Sequence, residues 1–270
     1  MPELPEVETI ISNLRPIFQN HRFLGIKIFN ENSVSGNPIL FEKLMGKKLV
    51  EISRRGKFIN MFFEDEIVLT VHLRMTGRLI VTPERENLKY ERARISFENR
   101  NLSFCDLRKF GRIWINSKSD YERATGIIKL GDEPLDKTFA LKNFKKLLKG
   151  KKGNVKAFLL NQNFIAGIGN IYADESLFYA GIRPHRTVET LQNREVKLLF
   201  QGVKCSLIQG IENSGTSFSD FVNAHGEKGG NQELLFVYNR GGKKCLKCQS
   251  ILMKEKIAGR GSVYCQKCQK

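Results

Sequence analysis

Four of the six cysteines form two Cys-x2-Cys pairs near the C-terminus: Cys245 with Cys248 and, after sixteen intervening residues, Cys265 with Cys268. Two such knuckles across a hairpin supply the four thiolates that a tetrahedral zinc ion takes. In a reducing compartment this pattern indicates metal before disulfide. One structural Zn2+ held by Cys245, Cys248, Cys265 and Cys268 is therefore expected, with redox use of the pairs as the competitor. The segment around them is one-sided in charge: Arg240, Lys243, Lys244, Lys247, Lys254, Lys256, Arg260, Lys267 and Lys270 stand against Glu255 alone. A basic zinc hairpin suits nucleic acid. Arg260, between Gly259 and Gly261, falls at the expected hairpin tip, where it can reach a groove or backbone. Cys105 and Cys205 stand alone and are taken as ordinary free thiols.

The whole chain carries the same bias. Its net charge is +17 and its pI near 9.7, which point to a polyanionic partner, nucleic acid first and an anionic membrane surface second. No apolar run approaches the ~18–20 residues of a spanning helix. The acidic start is the opposite of a basic secretory leader, so a soluble cytosolic protein is expected. With 270 residues, 41% of them hydrophobic, there is material for two domains with real cores.

The chain begins Met1-Pro2-Glu3-Leu4-Pro5-Glu6-Val7-Glu8-Thr9. If Met1 is removed, Pro2 presents a secondary amine. α-Amino groups titrate near pKa ~7.7–8, so a useful fraction is a nucleophile at neutral pH. Such an amine can attack C1′ of a deoxyribose, displace the base and leave an imine, with Glu3 as the neighbouring proton donor or acceptor. The competing explanation is plain helix chemistry. Pro and Glu both suit a first helical turn, and Leu4, Val7, Ile10, Ile11, Leu14 and Phe18 form a helical stripe over residues 3–19.

From Arg22 to Asn116 the period falls to two. Strands are expected at Phe23–Phe29, Lys48–Ser53, Phe58–Phe63, Ile67–Leu73, Arg78–Val81, Ala93–Glu98, Leu102–Cys105 and Arg112–Ile115, as a sandwich or barrel. Three places break the alternation. Arg54-Arg55-Gly56-Lys57 offers Lys57 for phosphate contact or proton handling, against an ordinary solvated lysine. His72-Leu73-Arg74-Met75-Thr76-Gly77 runs from strand into turn, with Met75 either an apolar wedge into a base stack or a hydrophobic plug. Asp106-Leu107-Arg108-Lys109-Phe110-Gly111 alternates Arg and Phe at a turn, which suits insertion into a duplex, Phe110 filling a gap and Arg108 bonding an unpaired base.

Residues 117–135 are rich in turn residues and are expected to connect two domains. Beyond them the period is helical, with helices expected at Phe139–Leu148, Val155–Leu160, Ile171–Tyr179, Glu189–Asn213 and Ser217–Val222. Gly167-Ile168-Gly169-Asn170 sits before the third. Its glycines can expose backbone N–H groups and Asn170 can cap the helix, an anion site for a DNA phosphate that Lys156 can join. Residues 224–242 form a Gly-rich loop, either a simple connector or a lid. The expected organisation is a catalytic β-sandwich over 1–116, a connection over 117–135, a helical domain over 136–223, a loop over 224–242 and a zinc finger over 243–270.

The PELPEVET start, RRGKF, the DLRKFG turn, GIGNIYADE and the terminal Cys pairs occur in this order in the bacterial formamidopyrimidine-DNA glycosylases, which the chain resembles over essentially its full length. The resemblance implies an α+β fold: a helix-flanked β-sandwich, a helix–two-turn–helix domain and a zinc finger. It implies excision of 8-oxoguanine and formamidopyrimidines from double-stranded DNA, then β- and δ-elimination at the abasic site. A monomer is expected separately, because no self-pairing stripe is evident in the sequence. Pro2 matches the family's imine-forming nucleophile, Glu3 its acid–base partner, and Glu6 a supporting position. Lys57 matches the lysine that contacts phosphate and assists catalysis. Met75, Arg108 and Phe110 match the trio that fills the space left by the flipped nucleotide, Arg108 reading the orphaned cytosine. Asn170 and Arg260 match phosphate grips, Arg260 being counted with the catalytic set as well, and His72 and Lys156 are placed with the DNA contacts. A base-flipping enzyme needs such a set. One departure stands out: Gly226–Gln232 lacks an aromatic found in some members, in a loop that covers the damaged base in the family.

Two other functions fit parts of the pattern. Endonuclease VIII, a glycosylase for oxidised pyrimidines, shares Pro2, Glu3 and the zinc finger, but its start differs from PELPEVET and it usually lacks the Arg-x-Phe turn. A non-catalytic zinc-finger binder of damaged DNA would not need Pro2 and Glu3 together.

Overall fold

A computed structural model of the chain describes residues 1–83 and 88–270. They form two compact units, Met1–Lys129 with Asn213–Gln232, and Leu130–Glu212 with Glu233–Lys270.

The first unit opens with α1 (Leu4–Phe18), which buries Leu4, Val7, Ile10, Ile11, Leu14 and Phe18 completely. The strands follow in two sheets. One has the order β1 (Phe23–Ile28), β7 (Glu91–Phe97), β8 (Asn101–Asp106), β6 (Gly77–Thr82). The other has the order β2 (Val34–Gly36), β9 (Arg112–Ser117), β5 (Ile67–His72), β4 (Phe58–Phe63), β3 (Leu49–Arg55). Neighbours are antiparallel except β2, which lies parallel to β9. Ile52, Ile59, Met61, Leu69, Val71 and Ile113 of the second sheet meet Leu79, Ile95, Leu102 and Phe104 of the first and the apolar stripe of α1 in one core. Each fully buried Leu, Ile or Phe contributes about 1.5–3 kcal/mol, so this cluster outweighs any local preference in the unit. Among the described residues, two short α-helices lie outside the expected elements: α2 (Pro38–Leu44), capped by the Asn37 side chain on Ile39 N, and α3 (Tyr121–Thr125), in the stretch expected to be a connection.

The expected helix at Ser217–Val222 is absent, and the expected boundary at 223/224 falls inside a single structural segment. Phe221 and Ala224 enter the sandwich core, and Val81 N donates to Ala224 O at 2.9 Å. Ser217 spends its amide on Gln232 Oε1 and its hydroxyl on Phe221 O, hydrogen bonds that compete with a helix.

The second unit holds α4 (Leu141–Leu148), α5 (Val155–Leu160), α6 (Asn170–Ala180) and α7 (Asn193–Glu212), then the hairpin β10 (Met253–Ile257) and β11 (Arg260–Tyr264). α6 is buried on nearly every side, with Tyr179 its exposed residue, which is why its sequence shows no polar face. α7 packs against it through Gly210, where a Cβ would stand 2.5 Å from the Tyr172 hydroxyl oxygen. Among the described residues, no helix is long and apolar enough to cross a membrane.

Candidate active site and nucleic-acid contacts

The N-cap and first turn of α1 carry two acidic residues, Glu3 and Glu6, that are almost wholly buried. Pro2 is buried while Met1 is 53% exposed, and Glu3 and Glu6 are 3% and 1% exposed. Glu3 and Glu6 form a reciprocal capping box, in which Glu3 N donates to Glu6 Oε2 at 2.8 Å. The other Glu6 oxygen accepts Thr216 N at 2.8 Å, across 210 residues of sequence. Thr216 Oγ1 in turn accepts the side-chain amide of the buried Asn231 at 2.8 Å. The backbone that carries Pro2 is thus fastened to the segment 213–232 by hydrogen bonds to a charged group, stronger than neutral ones. Sequence patterns point to Glu3 and Glu6 but not to Thr216 or Asn231, since Glu6 and Thr216 lie 210 residues apart and Asn231 bonds Thr216 in turn.

Lys57 follows Gly56 (φ 56°) in the tight β3–β4 turn. It is 7% exposed, so its position is set by the fold. Arg54 beside it donates to Glu8 Oε2 at 2.8 Å, which ties the strand end before Lys57 to the early turns of α1. His72 pairs with Phe58 across β4–β5, next to Lys57. Burial, then the positive Arg74 and Lys57, push the His72 pKa down from 6.5 to about 3. Its Nδ1 accepts Arg74 N at 3.0 Å, so in the neutral ring the proton sits on Nε2. His72 is therefore a neutral N–H donor rather than a cation.

Met75 and Phe110 stand at turn tips, 42% and 50% exposed, although both are large and apolar. Arg108 lies with its guanidinium over the Phe110 ring, 4.9 Å from the centroid, and its Nη1 is 3.3 Å from Met75 Sδ. The structure brings together the three residues singled out as a wedge. Each turn contains a non-glycine residue in left-handed conformation, Arg74 (φ 54°) and Lys109 (φ 59°). Such backbone persists only where its surroundings hold it.

In the second unit Asn170 is not the helix cap expected from its position. Gly169 is the N-cap and Asn170 the first helical residue, and its Nδ2 donates to Gly261 O at 2.9 Å. It thereby holds the β10–β11 hairpin, whose two-residue turn, Ala258 (φ 51°) and Gly259 (φ 72°), presents Arg260 to solvent at the start of β11. Lys156 differs most from expectation. Its side chain is fully buried, with Nζ 2.6 Å from Asp174 Oδ1, 2.6 Å from Ser262 Oγ and 3.1 Å from Gly261 O. Burial pushes the Asp174 carboxyl up against the pull of that lysine. Lys156 has no surface to offer a phosphate; it braces the strand that carries Arg260. A helical pattern cannot tell a buried lysine from an exposed one, and Asp174 lies on another helix.

Glu175, next in α6, accepts the backbone N–H groups of Phe236, Val237 and Tyr238 at 2.8–2.9 Å and fastens the approach to the cysteines. The Sγ atoms of Cys245, Cys248, Cys265 and Cys268 all lie within 4.8 Å of one another. Zn–S bonds of about 2.3 Å place tetrahedral sulfurs about 3.8 Å apart, so these four thiols fit one structural zinc ion. They pack with Phe178, Val237, Leu252 and Val263. Cys105 is separate and inert: burial and the Glu91 carboxylate push its thiol up to about 11.

Comparison with known proteins agrees with this geometry. Residues 1–113 match the formamidopyrimidine-DNA glycosylase N-terminal domain, residues 130–222 the H2TH domain of the same enzymes, and residues 242–270 the zinc finger found in FPG and IleRS. The chain is 39% identical to the formamidopyrimidine-DNA glycosylase of Pelotomaculum thermopropionicum, covering 100% of this chain and 99% of that one. It is 36% identical to that of Lactobacillus gasseri over 100% and 99%. Among solved structures, the MutM (Fpg) protein of Thermus thermophilus superposes with a TM-score of 0.91 at 35% identity, covering 99% of this chain and 98% of that one. The Lactococcus lactis protein in complex with abasic-site DNA gives 0.92 at 32%, with 99% of each covered. With its sandwich, helical domain and four-cysteine hairpin all matched, the chain belongs to the formamidopyrimidine-DNA glycosylase family.

Proposed function

We propose that this chain is a base-excision repair enzyme that removes oxidised purines, 8-oxoguanine and formamidopyrimidines, from duplex DNA and then cuts the strand at the abasic site. The observation that carries this is the N-terminal turn: Pro2 lies buried beside a buried Glu3, in backbone fastened by Glu6. Freed of Met1, the Pro2 nitrogen attacks C1′ as the bond to the base breaks. Glu3 supplies a proton to the sugar oxygen or the departing base. The resulting imine activates the sugar for successive loss of the 3′ and 5′ phosphates by β- and δ-elimination.

Lys57 and the neutral His72 Nε2–H contact phosphates beside this centre. Met75, Arg108 and Phe110 enter the stack, and Arg108 bonds the base left without a partner. Asn170 and Arg260, coupled through Gly261, contact the backbone from the second unit, and zinc keeps their hairpin folded. The net charge of +17 and a thiolate zinc centre suit work in the bacterial cytoplasm, on the nucleoid.

Excision from duplexes carrying 8-oxoguanine or thymine glycol tests the substrate class. Faster release of 8-oxoguanine is expected. A strong preference for thymine glycol would move the chain to the endonuclease VIII type, and binding without release of either would make it a non-catalytic binder. Thymine glycol is the right competitor because one Lactococcus lactis relative was solved with DNA containing an oxidised pyrimidine.

A further inference from the structure

Met75 and Arg108 sit on different turns, and a buried polar joint links them. Gly77 pairs with Asp106 across β6–β8, which sets Thr76 against the Asp106 carboxylate. Thr76 Oγ1 donates to Asp106 Oδ1 at 2.5 Å. Arg108 N donates to both Thr76 Oγ1 and Asp106 Oδ1, at 3.1 Å each. Gly111 N donates to Asp106 Oδ2 at 2.7 Å, closing the turn at its far end. Asp106 is 1% and Thr76 9% exposed, beneath turn tips that are half exposed. A carboxylate with both oxygens engaged by two turns is a directional joint. The space around it is closed: a Cβ on Gly111 would stand 3.1 Å from Asp106 Oδ2, and one on Gly77 would stand 2.4 Å from Leu73 O.

We infer that Thr76 and Asp106 are positioning residues that lock Met75, Arg108 and Phe110 into one insertion unit, and so set discrimination of the base opposite the lesion. The inference rests on the wedge role proposed for those three. Arg108 must meet a base edge within a few tenths of an ångström while Met75 and Phe110 enter the stack. Turns that moved independently would let Met75 insert with Arg108 and Phe110 out of register.

The test uses the full-length zinc-loaded protein and two readouts. One is the single-turnover rate of 8-oxoguanine excision opposite cytosine divided by the rate opposite adenine. The other is nicking of a single-stranded abasic oligonucleotide, where there is no opposite base to read. Thr76→Val should lower the ratio roughly tenfold, the scale of one hydrogen bond to a charged group, with single-strand nicking within about twofold of the parent. Thr76→Ser should restore the ratio. Asp106→Asn, which turns an N–H donor toward Gly111 N, should lower it as well and serves if the valine variant does not fold. An unchanged ratio in both variants, with Arg108→Ala lowering it, overturns the joint. Parallel loss in both readouts overturns it too, since that marks a merely structural role. An unchanged ratio in Arg108→Ala defeats the wedge role itself and this inference with it.

Discussion

The Lys156 ammonium lies 2.6 Å from the Asp174 carboxylate, with the two side chains 0% and 1% exposed. A buried pair of this kind adds little beyond what an apolar pair would, but leaving one charge alone is costly, about 3–5 kcal/mol. Lys156→Met should therefore lower the stability of the chain by about that amount in denaturant unfolding. Lys156→Met combined with Asp174→Leu should recover part of it. If Lys156→Met kept its stability and lost only DNA affinity, Lys156 would be a phosphate ligand after all.

His72 gives a pH prediction. Its folded pKa is depressed from 6.5 to about 3, so between those values the unfolded chain binds a proton that the folded chain does not. Stability from this group is fully present above about pH 6.5 and is lost as pH falls toward 3, by ~1.4 kcal/mol per pH unit. His72→Gln should flatten that part of a stability–pH curve; an unchanged curve would mean the ring is protonated in the folded protein.

The same neutral ring predicts how binding responds to salt. Lys57→Ala and Arg260→Ala should each reduce the slope of log affinity against log salt by about 1, because each loses one phosphate contact by a cation. His72→Gln should weaken binding and leave the slope unchanged. A slope reduced by His72→Gln would contradict the neutral donor.

Removing zinc should cost the hairpin. Four thiolates hold β10 and β11 to a small apolar cluster, too little to fold alone. Chelation should release one zinc per chain, expose all four thiols to a thiol reagent and lower DNA affinity. Metal-free protein with normal affinity would show that Arg260 is held without the metal.

How much of this is legible in the sequence depends on range. The α1 stripe, most of the strands and the cysteine knuckles are local patterns, and their residues appear where the patterns place them. Met75, Arg108 and Phe110 are legible because large apolar and basic residues at turns need a reason. Contacts between distant segments are not legible. Thr216 reaches Glu6 from 210 residues away, and Phe221 looks like a helix residue until the sandwich core is seen to take it. The short α2 does leave a local mark in Asn37-Pro38, a cap and a first-turn proline, but its seven residues are too few to show a helical period.

The central claim is the nucleophile. The most direct measurement is borohydride trapping on a duplex with one 8-oxoguanine opposite cytosine, followed by peptide mapping of the cross-link. A single cross-link on Pro2, in protein whose intact mass shows loss of Met1, is the predicted result. A cross-link mapped to Lys57, or none on protein that binds the duplex normally, would contradict it.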